Sequence, residues 1–340
     1  MGRRKFLTQK DIRAIDKLLF GDRRLRPENR MGLLTPSCAQ REAYIPTVSY
    51  NFVPNETHAI ESAEVQTLTN PAFEKTREKI QDVLNRKVQL YFAIDRHIKN
   101  LSKFKRRMMG IPAFLHSIFP SRAYSKKLDS PKSMLSDART AYEKCVLNLS
   151  FTCTPELQAR WDAMQAAFAQ DELVWDITAE HEPYKITGEC GEHIVSNLER
   201  RQIAFGESPL DVLKCDTPAL FLENANGANF YFYPFFVVME QANAVAILSP
   251  TELQISGNCV QVIENDLPSG ATVCDQVWAH AKKDGSPDMR YKDNATIPIA
   301  EYYRMNINTM HGVQESYLFC QSSFGKTFAK KLVDYCSIPR

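Results

Sequence analysis

The twenty residues Phe230–Ser249, FYFYPFFVVMEQANAVAILS, are the most apolar stretch of the chain, and their reading decides the fold. Their length matches a helix in lipid. Pro234, Glu240, Gln241 and Asn243 interrupt them, so they read instead as two strands and a turn. Just upstream, Asn224-Ala-Asn-Gly227 supplies turn chemistry, because Asn and Gly tolerate the left-handed backbone of a tight hairpin.

The same alternation spreads outward from this stretch. After about residue 172, β-branched and aromatic runs recur as LVWDIT, RRQIAFG, ALFLEN, LQIS, CVQVIE, IPIAEYYRMNI and ESYLFCQS, divided by Gly, Asn, Asp and Pro. Short strands at this spacing predict a small β-barrel or sandwich. In the tail FGKTFAKKLVDYC, Phe324, Phe328, Leu332 and Tyr335 stand at helical spacing and predict a closing helix over about 324–336. A strand series ended by one helix is the element order of pleckstrin-homology-type modules, an analogy that carries no ligand.

Towards the N-terminus the pattern turns helical. Thr8 is an acceptable cap for LTQKDIRAIDKLL, which sets Ile12, Ile15, Leu18 and Leu19 on one face. Residues 21–68 hold prolines and polar runs and read as an irregular, wrapping segment. From Asn70, a cap followed by Pro71, a helical pattern runs unbroken by Gly or Pro to Met109. IPAFLHSIFPSRAYSKKLDSP breaks it. Further helices are expected over about Lys132–Leu147 and Pro155–Gln170, the latter capped by Thr154, folding back on the long helix as an antiparallel hairpin. The expected architecture is therefore α+β: a helical region 1–170, then a β-rich, barrel-like domain 171–340 closed by a helix.

Composition narrows the function classes. With 340 residues, 44% hydrophobic and 24% charged, the chain can bury a core and is not disordered throughout. A net charge of +2 points to no partner, so local charge must decide. The start MGRRKF contains neither an apolar leader nor the myristoylation pattern. Nine cysteines, an odd number with no C-x-x-C pair, read as free thiols in a reducing cytoplasm.

Three segments of the C-terminal half carry a resemblance: NANGANFYFYPFF (Asn224–Phe236), KKDGSPDMRY (Lys282–Tyr291) and NATIPIAEY (Asn294–Tyr302). They resemble a bacterial module marked by an NANG hairpin, an NKDGSPDRRF turn and an NxxIPI strand, over about residues 195–330. That module has no agreed activity. The resemblance implies a bacterial setting near defence or mobile-element genes. Lys282 replaces the expected Asn and Met289 the expected basic residue, which weakens the turn as an anion site.

Candidate chemistry is sparse. In the turn, Asp284-Gly285 and Ser286-Pro287 favour tight bends, Asp288 can accept backbone N–H groups, Arg290 can pair with a neighbouring carboxylate, and Asn294 can cap the following strand. The turn reads first as stapled by its own side chains. Its functional reading is a recognition site, or a metal-dependent hydrolase using Asp284 and Asp288, although D-x-x-x-D alone is too few ligands. CGEH offers Cys190 and His193, with His181 nearby, where zinc needs three or four ligands. No nucleophile elbow, Walker loop or dinucleotide fingerprint occurs, and no cofactor is expected. The strongest physical signal is the basic run over 96–132, where Lys99, Lys103, Lys105, Arg106, Arg107, Arg122, Lys126 and Lys127 are interleaved with apolar residues. Such a surface attracts nucleic acid or an anionic membrane surface, or serves as a docking groove on a protein partner. The expectation is a non-catalytic interaction or adaptor protein that binds a partner or itself. The alternatives are nucleic-acid binding through the basic run and hydrolysis at the turn.

Overall fold

In the computed structural model, which describes residues 58–109, 121–168 and 172–338 (the side chains of 104–129 excepted), breaks at Pro234 and at Ala242 divide the apolar stretch into three strands, not two. The helix expected after Thr8 and most of the irregular segment lie outside the described residues. With β1 at His58–Ala59, β2 at Leu147–Leu149, β3 at Val174–Thr187, β4 at Glu192–Gln202, β5 at Phe205–Glu207, β6 at Leu213–Cys215 and β7 at Leu220–Leu222, the stretch supplies β8 (Asn229–Phe232), β9 (Val237–Gln241) and β10 (Ala244–Leu248). Proline lacks the N–H a central strand needs, so it sits in the β8–β9 turn, where Tyr233 N–H bonds Phe236 O at 2.9 Å. Ala242 turns the β9–β10 hairpin at φ 56°. These strands form an antiparallel sheet in the order β10-β9-β8-β7-β5.

The larger sheet adds β11 (Gln254–Ile263), β12 (Thr272–Trp278), β13 (Thr296–Asn308) and β14 (Gln314–Phe319). Hydrogen-bonded pairings run from β3 to β14, β13, β11 and β4, and β4 returns to β3, closing a ring through five strands. The closure is antiparallel except at Gln261 opposite Val195, the single parallel register between β11 and β4. β1 joins β3 and β12 joins β13. Alternation then sorts the side chains. Trp175, Ile177, Val260, Val262, Ala300, Tyr302 and Leu318 form one buried cluster. Their neighbours Tyr303, Met305, Ile307, Tyr317 and Phe319 face a second core with β7–β10 and two helices.

Four α-helices occur among the described residues: α1 (Glu74–Met109), α2 (Ser121–Lys144), α3 (Pro155–Phe168) and α4 (Ser322–Cys336). α2 begins well before the expected Lys132, because Ser121–Ser130 contains good helix formers and no glycine. Pro131 lies inside it, at the loss of one backbone bond. Thr154 caps α3 as its sequence indicates, with Leu157 N–H donating to Oγ1 at 3.3 Å. No described helix is long and apolar enough to cross a membrane.

The chain divides into two compact units. One is helical, 74–150 with 210–216; the other takes 151–209 and 217–340, with the segment before α1. In the helical unit, Lys87 Nζ lies 4.9 Å from the Tyr142 ring and Cys145 Sγ lies 3.8 Å from Val83 O. The end of α2 therefore lies beside the first half of α1, and the two helices run antiparallel. β2 and β6 add a short parallel pair. α3 does not join this hairpin. It packs in the β-rich unit, where Trp161 meets Tyr335 of α4 at 5.6 Å and Phe168 stacks on Phe205 at 4.4 Å. Its buried face Leu157, Trp161, Met164 and Phe168 has the helical period, which identifies an amphipathic helix without identifying what covers it.

Candidate functional site

The turn after β12 engages its polar groups internally. Asp284 Oδ1 accepts from Ser286 N–H at 3.1 Å and from Ser286 Oγ–H at 2.7 Å. Asp288 accepts from Arg290 N–H at 3.1 Å and from Arg290 Nε–H at 3.0 Å, and the guanidinium forms an ion pair with it. The Arg290 side chain holds the Asp288 carboxyl down at about 2. Asn294 clamps His280 from both sides, accepting its N–H at 2.8 Å and donating to its carbonyl at 2.7 Å. His280 stacks on Tyr291 at 3.7 Å. Gly285 has φ 81°, and a Cβ there would stand 2.6 Å from Thr187 Cγ2, so both conformation and space call for glycine. Asp284, Asp288, Arg290 and Asn294 thus lie together and bind one another's segment. Among the described residues, no three His, Cys, Asp or Glu side chains are grouped as metal ligands.

Cys190 and His193 meet a third residue, Asp275 of β12. His193 Nε2 is 2.7 Å from Asp275 Oδ2 and its Nδ1 is 3.0 Å from Gln261 Oε1. Cys190 N–H donates to the same Asp275 oxygen at 3.0 Å. Burial pushes the Asp275 carboxyl up, but the N–H groups of Cys190 and Gln276, together with His193, outweigh it and hold it below the usual range. Asp275 in turn raises the Cys190 thiol. A nucleophilic cysteine needs a depressed pKa and a base with a free nitrogen. Here both ring nitrogens are engaged and the thiol moves the other way, so the trio is a brace between β4, β11 and β12. His181 pairs separately with Glu199 at 3.0 Å.

The basic run is where the fold gathers residues that are distant in sequence. Lys99, Lys103, Lys105, Arg106 and Arg107 occupy the last turns of α1, and Arg122, Lys126 and Lys127 the first turns of α2. Since the helices are antiparallel and about equal in length beyond Lys87 and Tyr142, these two groups share one end of the hairpin. No acidic residue occurs between Asp95 and Asp129. Lys99 reaches Asp95 at 2.6 Å and is otherwise exposed. Phe92 and Met134 also stand exposed on α1 and α2, at 45% and 53%.

The β-rich unit carries the opposite charge, a feature a residue-by-residue search for motifs misses. Residues 74–150 hold 17 Lys and Arg against 7 Asp and Glu, whereas 151–209 and 217–340 hold 13 against 23. With 210–216 (1 against 2) and 1–73 (11 against 8) added to their units, the near-neutral chain is +9 in the helical unit and −7 in the other. Glu182, Glu189, Glu192 and Glu199 are exposed along the β3–β4 hairpin.

No family model, curated protein or solved structure matches the chain. The resemblance in Asn224–Phe236, Lys282–Tyr291 and Asn294–Tyr302 rests on those residues alone.

Proposed function

We propose that this chain is a non-catalytic interaction protein that self-associates, the basic end of its α1–α2 hairpin docking on the acidic β3–β4 face of a second copy. The segregation of a net charge of +9 into the helical unit and −7 into the other carries this reading. Complementary potentials steer and orient association. Exposed Phe92 and Met134 give the helical partner apolar contact area beside the charge. The closing helix after the ringed strands supports a barrel-like module of the pleckstrin-homology type. The exposed thiols of Cys190, Cys259 and Cys274 support a cytoplasmic setting. The resemblance adds a bacterial, defence-associated context.

Sedimentation velocity of the full chain tests it. The chain is expected to associate at about 50 mM salt and to separate at about 500 mM, because screening shortens the reach of surface charge. Lys103→Glu, Lys105→Glu, Arg106→Glu and Arg107→Glu together are expected to abolish association. A monomer at low salt and about 100 μM chain overturns the proposal.

Nucleic-acid binding is the second reading, favoured by the uninterrupted cationic stretch between Asp95 and Asp129. It requires binding that weakens with salt and whose salt slope falls by about one for each phosphate-contacting cation changed to Ala. No binding at low salt removes it.

A further inference from the structure

Four buried polar atoms lie around β3, β14 and the Asn224–Gly227 turn with no hydrogen bond of normal geometry: Asp176 Oδ1, Glu315 Oε2, Asn224 Nδ2 and Tyr317 OH. Their residues are 0%, 2%, 6% and 0% exposed. Tyr317 stands opposite Asp176 in the β14–β3 register, and Glu315 is two residues along β14, on the same face. The remaining atoms of the group are tied down. Asp176 Oδ2 accepts Ala225 N–H at 2.8 Å. Asn224 Oδ1 accepts the N–H groups of Asn226 and Gly227 at 3.0 and 2.6 Å, which turns its NH2 toward the carboxyls. Glu315 Oε1 accepts from Ser62 Oγ–H. A Cβ at Gly227 would lie 2.9 Å from Asn224 Nδ2 and 3.1 Å from Glu315 Oε1, so the glycine lets the turn close over the site.

The segment through Ser62 forms a strap over this group. β1 pairs with β3, Ile60 N–H bonds Thr178 O at 3.1 Å, Ala63 N–H bonds Gly312 O at 2.9 Å, and Asn226 Nδ2 bonds Ile60 O at 2.9 Å. Gln314 N–H donates to Ser62 Oγ at 3.0 Å, so Ser62 is held between β14 and the buried acid.

With a proton on Glu315 the four atoms offer two donors, Glu315 Oε2–H and the Asn224 NH2, and two acceptors, Asp176 Oδ1 and the Tyr317 phenol oxygen, the complement of one water molecule with two hydrogens and two lone pairs. A hard cation is a poor match, because the Asn224 NH2 points inward and hard cations take oxygen ligands. Two neighbouring buried carboxyls cannot both ionise cheaply. We propose that Asp176, Glu315, Asn224 and Tyr317 form a buried site for one water and one proton, and that this proton keeps the strap 58–63 closed. Glu315 holds the proton between the carboxyls. When it is lost to bulk base, two adjacent negative charges remain beneath Ser62 and the strap loosens. The groups acting on the site are Glu223 and Arg201, which raise and lower Asp176 respectively, Asp176, which raises Glu315 while Ser62 and Asn224 lower it, and the two carboxyls, which both raise Tyr317. Burial, the largest cause, sets Glu315 at about 8 and Asp176 at about 6, which places the release just above neutral pH.

Hydrogen exchange of the Ile60 and Ala63 amides in the full chain tests the proposal, each rate being referenced to β13 amides at the same pH to remove base catalysis. Between pH of about 7 and about 9 the strap ratio is expected to rise about tenfold, following the one proton released. In Glu315→Gln it is expected to stay flat. In Ser62→Ala, a change at a part-buried position, it is expected to be high at every pH. A wild-type ratio that does not rise overturns the proposal, and so does an equal rise in Glu315→Gln. Should that variant not fold, a pH-dependent rise persisting unchanged in Ser62→Ala has the same force. The water is read independently by cross-relaxation to the Asn224 side-chain NH2, whose absence overturns that half.

Discussion

At Glu315, burial raises the carboxyl to about 8, with the charge of Asp176 adding to it, and Asp176 is itself raised to about 6. Both folded values lie above the unfolded ones, so the native state holds extra protons. Their contribution to stability is complete below pH of about 4 and is lost as pH rises through 6 to 8. Glu315→Gln keeps the shape and removes the titration. The unfolding free energy of the wild type is expected to fall by about 3 kcal/mol more than that of the variant between pH of about 6 and about 9. Denaturant unfolding at the two pH values checks this, and parallel losses in both proteins contradict it. At this scale the sequence was readable where partners are close along the chain. Asp284, Ser286, Asp288 and Arg290 lie within seven residues, so local turn rules reach them. Asp176 and Glu315 lie on strands far apart in sequence, as do His193 and Asp275. Only strand register brings them together, and a lone acid inside an apolar run gives no sign of its partner.

Among the elements, turn and cap residues showed through and solvent-facing strands did not. Asn224 and Gly227 announce their hairpin, and Thr154 announces α3. β4 (EHIVSNLERRQ) and β12 (TVCDQVW) put polar residues on the outer face and escape an apolar pattern, although Val195 and Val277 are buried. The β9–β10 hairpin holds a further consequence. Ala242 occupies the left-handed region at φ 56°, where a Cβ meets the following carbonyl at a cost of about 1–2 kcal/mol. Ala242→Gly relieves that strain and loses some unfolded-state restriction in exchange. A net gain of about 0.5–1 kcal/mol is expected in denaturant unfolding. A loss of stability shows that the turn is held by contacts of the Ala242 methyl instead.

For the whole molecule, the α+β class followed from the change of hydrophobic period near residue 172. The ring of five strand pairings did not, because the parallel contact of Gln261 with Val195 that completes it leaves no local signal. α3 likewise follows the long helices in sequence but packs with α4, since periodicity reports which face is buried and not what buries it. Charge segregation is the property that belongs to this scale alone, because a net charge of +2 conceals it. The most direct test of docking between copies is carboxyl–amine cross-linking of an equimolar mixture of 15N-labelled and unlabelled full-length chain, read by mass spectrometry. Mixed-isotope peptides joining Lys99, Lys103, Lys126 or Lys127 of one copy to Glu182, Glu189, Glu192 or Glu199 of the other are expected, lost at high salt. Cross-links confined to single-isotope peptides, or absent between these two regions, contradict it.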